Sequence, residues 1–137
     1  MPMLTPDQTR VLHAAVDRII PPDDFPGGWE AGVGDFLQAL WTREPRFLTG
    51  ALQGLDALDR EAHSAAGIAF ADLPPAAQDA LLRRVEAGEA GADWPVDSAA
   101  FFARLIRQCM EGFYADPGNG GNTGGVSWRM IGFEVTA

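Results

Sequence analysis

Apolar positions recur at helical spacing along most of this chain. Val11, Leu12, Ala15, Val16 and Ile19 fall on one face of a first helix. Thr5 is placed to cap it, Pro6 suits the first helical position, and Gln8 can reach back as in a capping box. Pro21-Pro22 ends it. After a loop from Pro22 to Gly28, a short second helix carries Val33, Phe36, Leu37, Leu40 and Trp41. The third is expected from Pro45 to about Ala66, with the stripe Phe47, Leu48, Ala51, Leu52, Leu55, Leu58 and Ala62. Gly67 is its natural stop. Phe70 and Leu73 read as loop anchors. A fourth helix begins near Pro75 and shows Leu81, Leu82 and Val85. Asp97 can cap a fifth that turns Phe101, Phe102, Leu105, Ile106 and Met110 inward. No run of four or more residues alternates as a strand would, and β-branched residues are scarce. The pattern predicts an all-α, bundle-like domain of about five helices.

The pattern changes at Gly112. From there to Phe133 the chain turns to Gly, Asn and aromatics. A purely flexible linker would lack large apolar residues; here Tyr114, Trp128, Ile131 and Phe133 offer anchors. The expectation is one domain over residues 1–137, with a helical body over 1–111 and a docking loop or tail over 112–137.

Composition narrows the chemistry. The chain has 137 residues and a formal net charge of -9, and all 10 of its basic residues are Arg. Without Lys there is neither a Walker A phosphate loop nor a Schiff-base amine. An acidic chain without a basic cluster is a poor nucleic-acid binder, because that affinity comes mainly from cations on phosphates. Cys109 is the single cysteine, which excludes an intrachain disulfide, a haem-attachment motif and a four-Cys iron–sulfur set. It sits among Ile106, Met110 and Phe113 and reads as a small buried hydrophobe. His13 and His63 lie far apart in sequence and belong to no zinc-ligand spacing. The first residues show no charged and apolar leader, and no stretch approaches the length of a membrane span. The expected location is cytoplasmic as given, or periplasmic if an export leader has been removed, with no direct membrane insertion.

Three local motifs lead elsewhere than first sight suggests. The glycine run fails as a dinucleotide fingerprint, since the third glycine position falls on Thr123 and a helix, not a strand, precedes it. It fails as an EF-hand, since positions three and five are Gly118 and Gly120 and the twelfth is Ser127. Oxygen donors at Asp116, Asn119 and Asn122 leave a looser Ca²⁺ site open. Asp23-Asp24 follows two prolines and has no His or nucleophile nearby, so it reads as a turn organiser rather than an acid–base pair. Trp29, Trp41 and Trp94 read as core or interface aromatics.

Two segments are more specific. One is Ile19-Ile20-Pro21-Pro22-Asp23-Asp24-Phe25-Pro26-Gly27-Gly28-Trp29-Glu30-Ala31-Gly32-Val33. The other runs from Gly112-Phe113-Tyr114-Ala115-Asp116-Pro117 through Gly118-Asn119-Gly120-Gly121-Asn122 to Trp128-Arg129-Met130-Ile131-Gly132-Phe133. Together they resemble the small subunit, subunit 3 or gamma, of gluconate 2-dehydrogenase and related bacterial FAD-dependent sugar and polyol dehydrogenases. Phe70 to Leu82 and Phe101-Phe102 fit the same pattern. The resemblance implies a non-catalytic subunit, in a heterodimer or larger complex, that binds and stabilises a catalytic subunit of the glucose–methanol–choline type. That partner would hold FAD and oxidise the sugar hydroxyl, and a cytochrome c subunit could take the electrons. This chain would itself bind no cofactor and no metal and supply no catalytic residue. Its partner-binding residues would be Tyr114, Asp116, Gly120, Gly121, Asn122, Trp128, Ile131 and Phe133. Two alternatives stand beside this reading. One is a free-standing helical binding protein whose tail folds over a small polar ligand such as a sugar or Ca²⁺. In the other, Asn122 or Tyr114 reaches the mouth of the partner's active site.

Overall fold

Thr5 opens the first helix through the cap its sequence predicts. In the computed structural model, which describes residues 4–22 and 26–114, α1 spans Pro6–Ile19. The Thr5 hydroxyl accepts from the Gln8 backbone N–H at 3.1 Å, and the Thr5 N–H donates back to the Gln8 side chain at 2.9 Å. This exchange satisfies two of the groups that a helix start leaves unpaired. The apolar face buries Val11, Leu12, Ala15 and Val16. Each large aliphatic side chain removed from water in this way contributes about 1.5–3 kcal/mol.

Glu44 alone separates α2 (Val33–Arg43) from α3 (Pro45–Ala66). Gly67 closes α3 in the left-handed region, φ 75°, where a Cβ would be strained. A short 3₁₀ turn at Phe70–Asp72 leads to α4 (Pro75–Glu86) and then to α5 (Ser98–Phe113). Asp97 caps α5 by accepting from the Ala100 N–H at 2.9 Å. Every regular element among the described residues is helical, and the domain is all-α. None of the helices among these residues is long and apolar enough to cross a membrane.

α5 packs on α4 and α2, α1 on α3, and α2 on α3. One core joins them, with Leu12, Val16, Leu37, Trp41, Leu55, Leu58, Phe70, Val85 and Cys109 among its buried members. Phe70 and Leu73 are the buried loop anchors expected of them. Leu4, just outside α1, is buried as well, although nothing in its local pattern marks it.

Two stripes sit differently from the periodicity. In α3, Phe47, Leu48, Ala51 and Leu52 are only half-buried, and full burial begins at Gly54 and Leu55. In α5, Phe101, Ile106 and Met110 are half-buried, whereas Gln108, Cys109 and Phe113 are buried. α5 also continues through Gly112 and Phe113, two residues the sequence reading gave to the tail. Gly112 allows this extension to pack closely, since a Cβ there would lie 2.6 Å from the Phe36 ring. The helix persists because its last turn buries Phe113 against the core.

Candidate interaction surface

Of the residues expected to bind a partner, Tyr114 lies within the described chain. It follows the last turn of α5 and is 47% exposed. Its ring meets Phe113 edge-on, with centroids 5.3 Å apart. Phe113 is buried, so one aromatic of this pair is anchored in the core and the other is presented outward. Asp116, Gly120, Gly121, Asn122, Trp128, Ile131 and Phe133 lie outside the described residues, as do the Asp23-Asp24 pair and the Ca²⁺ donors considered above.

Three of the half-buried stripe residues, Phe47 and Ala51 of α3 and Phe101 of α5, line a groove of about 210 Å³. Trp41 of α2, Phe47, Gly50 and Ala51 of α3, and Phe101, Arg104, Leu105 and Gln108 of α5 line it, with Val96 and Asp97 at one end. Its floor is closed by a buried bond, in which the Trp41 indole N–H donates to the Gln108 side-chain carbonyl at 3.0 Å. Arg46 and Arg104 both approach the Phe47 ring, with their guanidinium carbons 4.7 and 5.4 Å from its centroid. The apolar wall therefore carries a cationic lip, in geometry suited to cation–π attraction. The groove leaves Phe47, Ala51 and Phe101 only partly covered.

The polar interior serves architecture. Glu61, Gln78 and Gln108 are buried, and periodicity gave no notice of them as a group. Glu61 accepts from the Ala92 and Gly91 backbone N–H groups at 2.7 and 3.1 Å and from the Trp94 indole at 3.1 Å. Arg84 stands 3.5 Å from its other side. Burial pushes the Glu61 carboxyl up, but those donors and Arg84 outweigh it and hold it below the usual carboxylate range. The signal available in the sequence was a charged residue set among Leu55, Leu58 and Ala62 on an apolar face. Gln78 donates to the Phe70 carbonyl at 3.0 Å and ties the 3₁₀ turn to α4. Among the described residues, no buried side-chain nitrogen or oxygen lacks a partner.

The histidines are held locally. His13 stacks on Trp29 at 4.5 Å and lies 3.2 Å from Asp17. His63 lies 3.7 Å from Asp59. Among the described residues no three His, Cys, Asp or Glu side chains converge as a metal site would need. Cys109 is buried, and burial pushes its thiol up to about 12. It is held protonated, and a thiol in that state is a poor nucleophile. Arg18 forms a forked bond to Asp79 at 2.9 and 3.1 Å. That bond raises the guanidinium and lowers the carboxyl, and it fastens α1 to α4.

A family model described as gluconate 2-dehydrogenase subunit 3 matches residues 6–134. No curated protein and no solved structure matches the chain.

Proposed function

The chain belongs to the gluconate 2-dehydrogenase subunit 3 family, and on that premise we propose that it is a non-catalytic small subunit that binds and stabilises an FAD-containing catalytic subunit. The partner is of the glucose–methanol–choline type and oxidises a sugar or polyol hydroxyl, and FAD belongs to that partner. The family match carries the reading, because it spans residues 6–134 and so takes in the whole helical body. The body's own chemistry supports it. Glu61, Gln78 and Gln108 are spent on holding loops and helices together. Cys109 is buried and protonated.

The contacts proposed for the partner are Tyr114, Asp116, Gly120, Gly121, Asn122, Trp128, Ile131 and Phe133. Exposed aromatic anchors at an interface commonly carry much of its energy, and Tyr114 is presented in that manner.

The test is co-expression of the full chain with the flavoprotein subunit of its complex. The pair is expected to co-purify, and the flavoprotein made alone is expected to be poorly soluble or poor in FAD. A flavoprotein that folds, holds FAD and turns over normally without this chain would overturn the reading.

A further inference from the structure

Helical glycines in this chain are seats for aromatic rings. A Cβ at Gly34 would lie 2.5 Å from the Trp29 ring, one at Gly54 2.1 Å from Phe101, and one at Gly112 2.6 Å from Phe36. In each case the missing side chain lets a ring press on the helix backbone. Gly50 is the exception among the described helical glycines, since no described residue lies within 4 Å of its Cβ position. It stands one turn before Gly54 on the same face of α3 and lines the groove. A glycine inside a helix costs about 1 kcal/mol relative to alanine, and at Gly50 no contact within the described chain offsets that cost. Among the described residues the groove thus has a fourth glycine seat with no ring on it.

The lip of the groove gives the second half of the recognition. Arg10, Arg18 and Arg84 each pair with a carboxylate of this chain, and so does Arg46 on the lip itself, 3.3 Å from Glu44. Around the groove Arg104 stands against the Phe47 ring, and no carboxylate pairs with it among the described residues. In a chain with 19 acidic residues against 10 basic ones, a lining arginine without a carboxylate partner among the described residues, Arg104, is complementary to a ligand that supplies the acid.

We infer that the groove between α3 and α5 docks an aromatic side chain flanked by carboxylates, supplied by the catalytic subunit. The inference rests on the small-subunit reading and adds to it a second contact, on the helical body, apart from the tail. The ring enters over Gly50 between Phe47 and Phe101, and the carboxylates reach Arg104. The chain's own residues 115–137 are a poorer match to this lip, with two acidic side chains, Asp116 and Glu134, against Arg129. A second copy brings a net charge of -9 to a body of the same charge and is opposed by their mutual repulsion.

The test uses the full chain co-expressed with its flavoprotein subunit, comparing wild type with Gly50→Leu and Arg104→Glu. Gly50→Leu fills the seat while replacing a poor helix former with a good one, so the free chain should melt no lower than wild type. Each variant is expected to weaken the complex tenfold or more, while Gln53→Leu, at an exposed position of α3, leaves it unchanged. A wild-type pair that assembles and variants that bind equally well would overturn the groove and leave the small-subunit reading standing. A wild-type pair that never assembles would overturn both. Two further results would also overturn the proposal. Faster tryptic cleavage at Arg129 in free Gly50→Leu would mean that the chain's own tail fills the groove. A wild-type dimer that Gly50→Leu dissolves would mean that a second copy does.

Discussion

Glu61→Gln removes one charge and rearranges one acceptor at the centre of the loop between α4 and α5. The wild-type carboxylate uses both oxygens, one for Ala92 N–H and the Trp94 indole and the other for Gly91 N–H and Arg84. Glutamine keeps one oxygen and presents an NH₂ where the other stood. If that NH₂ faces Gly91, donor meets donor; if it faces Ala92 and Trp94, two bonds fail. A hydrogen bond to a charged group is worth about 1.5–3 kcal/mol, and a stranded buried donor costs a similar amount. The expected destabilisation is therefore about 2–4 kcal/mol. At about 4 °C per kcal/mol for a domain of this size, Tm should fall by roughly 10 °C at pH 7.

The pH dependence supplies an independent check. Desolvation raises the Glu61 pKa and the bonds from Ala92, Trp94 and Gly91 with Arg84 lower it, with a net lowering in the folded state. Its contribution is present in full above the unfolded-state value of about 4.3 and is lost as pH falls through the lower folded value. The Tm of the wild type should thus fall more steeply than that of Glu61→Gln below about pH 4. Asp79 is also lowered, by Arg18, but it is common to both proteins and cancels in the comparison. Thermal unfolding from pH 7 to pH 3, with hydrogen exchange at Gly91 and Ala92, measures both effects. A Tm loss under about 2 °C at pH 7, or parallel pH profiles, would refute the account of Glu61 as the clamp of this loop.

Two further outcomes follow from the packing. Gly54→Val would drive a side chain into Phe101, whose ring already lies 2.1 Å from the Cβ position. Overpacking of that kind costs about 1–3 kcal/mol, and a denaturant midpoint equal to wild type would contradict the ring seat. Cys109, buried with its thiol pushed up to about 12, should resist thiol reagents in the native protein at pH 8 and react on unfolding. Fast stoichiometric labelling under native conditions would contradict its burial.

Helix starts and stops were legible because each is a local chemical event. Thr5, Asp97 and Gly67 act through groups within one turn of themselves, and a linear reading contains all the participants. The apolar stripes were legible in phase but not in depth. Phe47 and Leu58 follow the same period in α3, yet Leu58 is buried and Phe47 is half-exposed. The difference depends on which helix stands opposite. The ring seats show the same limit, because Gly54 and Phe101 meet across 47 positions of chain and neither announces the other. Of the eight residues expected to dock, Tyr114 lies in the described chain, where it is presented outward, and the other seven lie outside the described residues.

The acidic balance also acquires a structural meaning that composition could not assign. Asp17 accepts from the Trp29 backbone N–H, Asp59 from Phe70, Glu61 from Gly91 and Ala92, and Asp97 from Ala100. In each of these a helix or its cap offers a carboxylate; Asp17 and Asp59 fasten the connection that follows their own helix, and Glu61 fastens a loop 30 residues further on. Loops rich in Gly and Pro have backbone N–H groups that no ladder satisfies, and buried ones need an acceptor from elsewhere. Carboxylates meet that need more strongly than neutral acceptors do. Part of the negative charge is thus the fastening of connections between helices, and the helices themselves depend on apolar burial. Glu61 is the one of these carboxylates that its bonds hold below the usual range, so acid should loosen the connection at 88–97 as pH falls through its folded value. The Val96–Asp97 end of the groove belongs to that connection and should be the first surface to change.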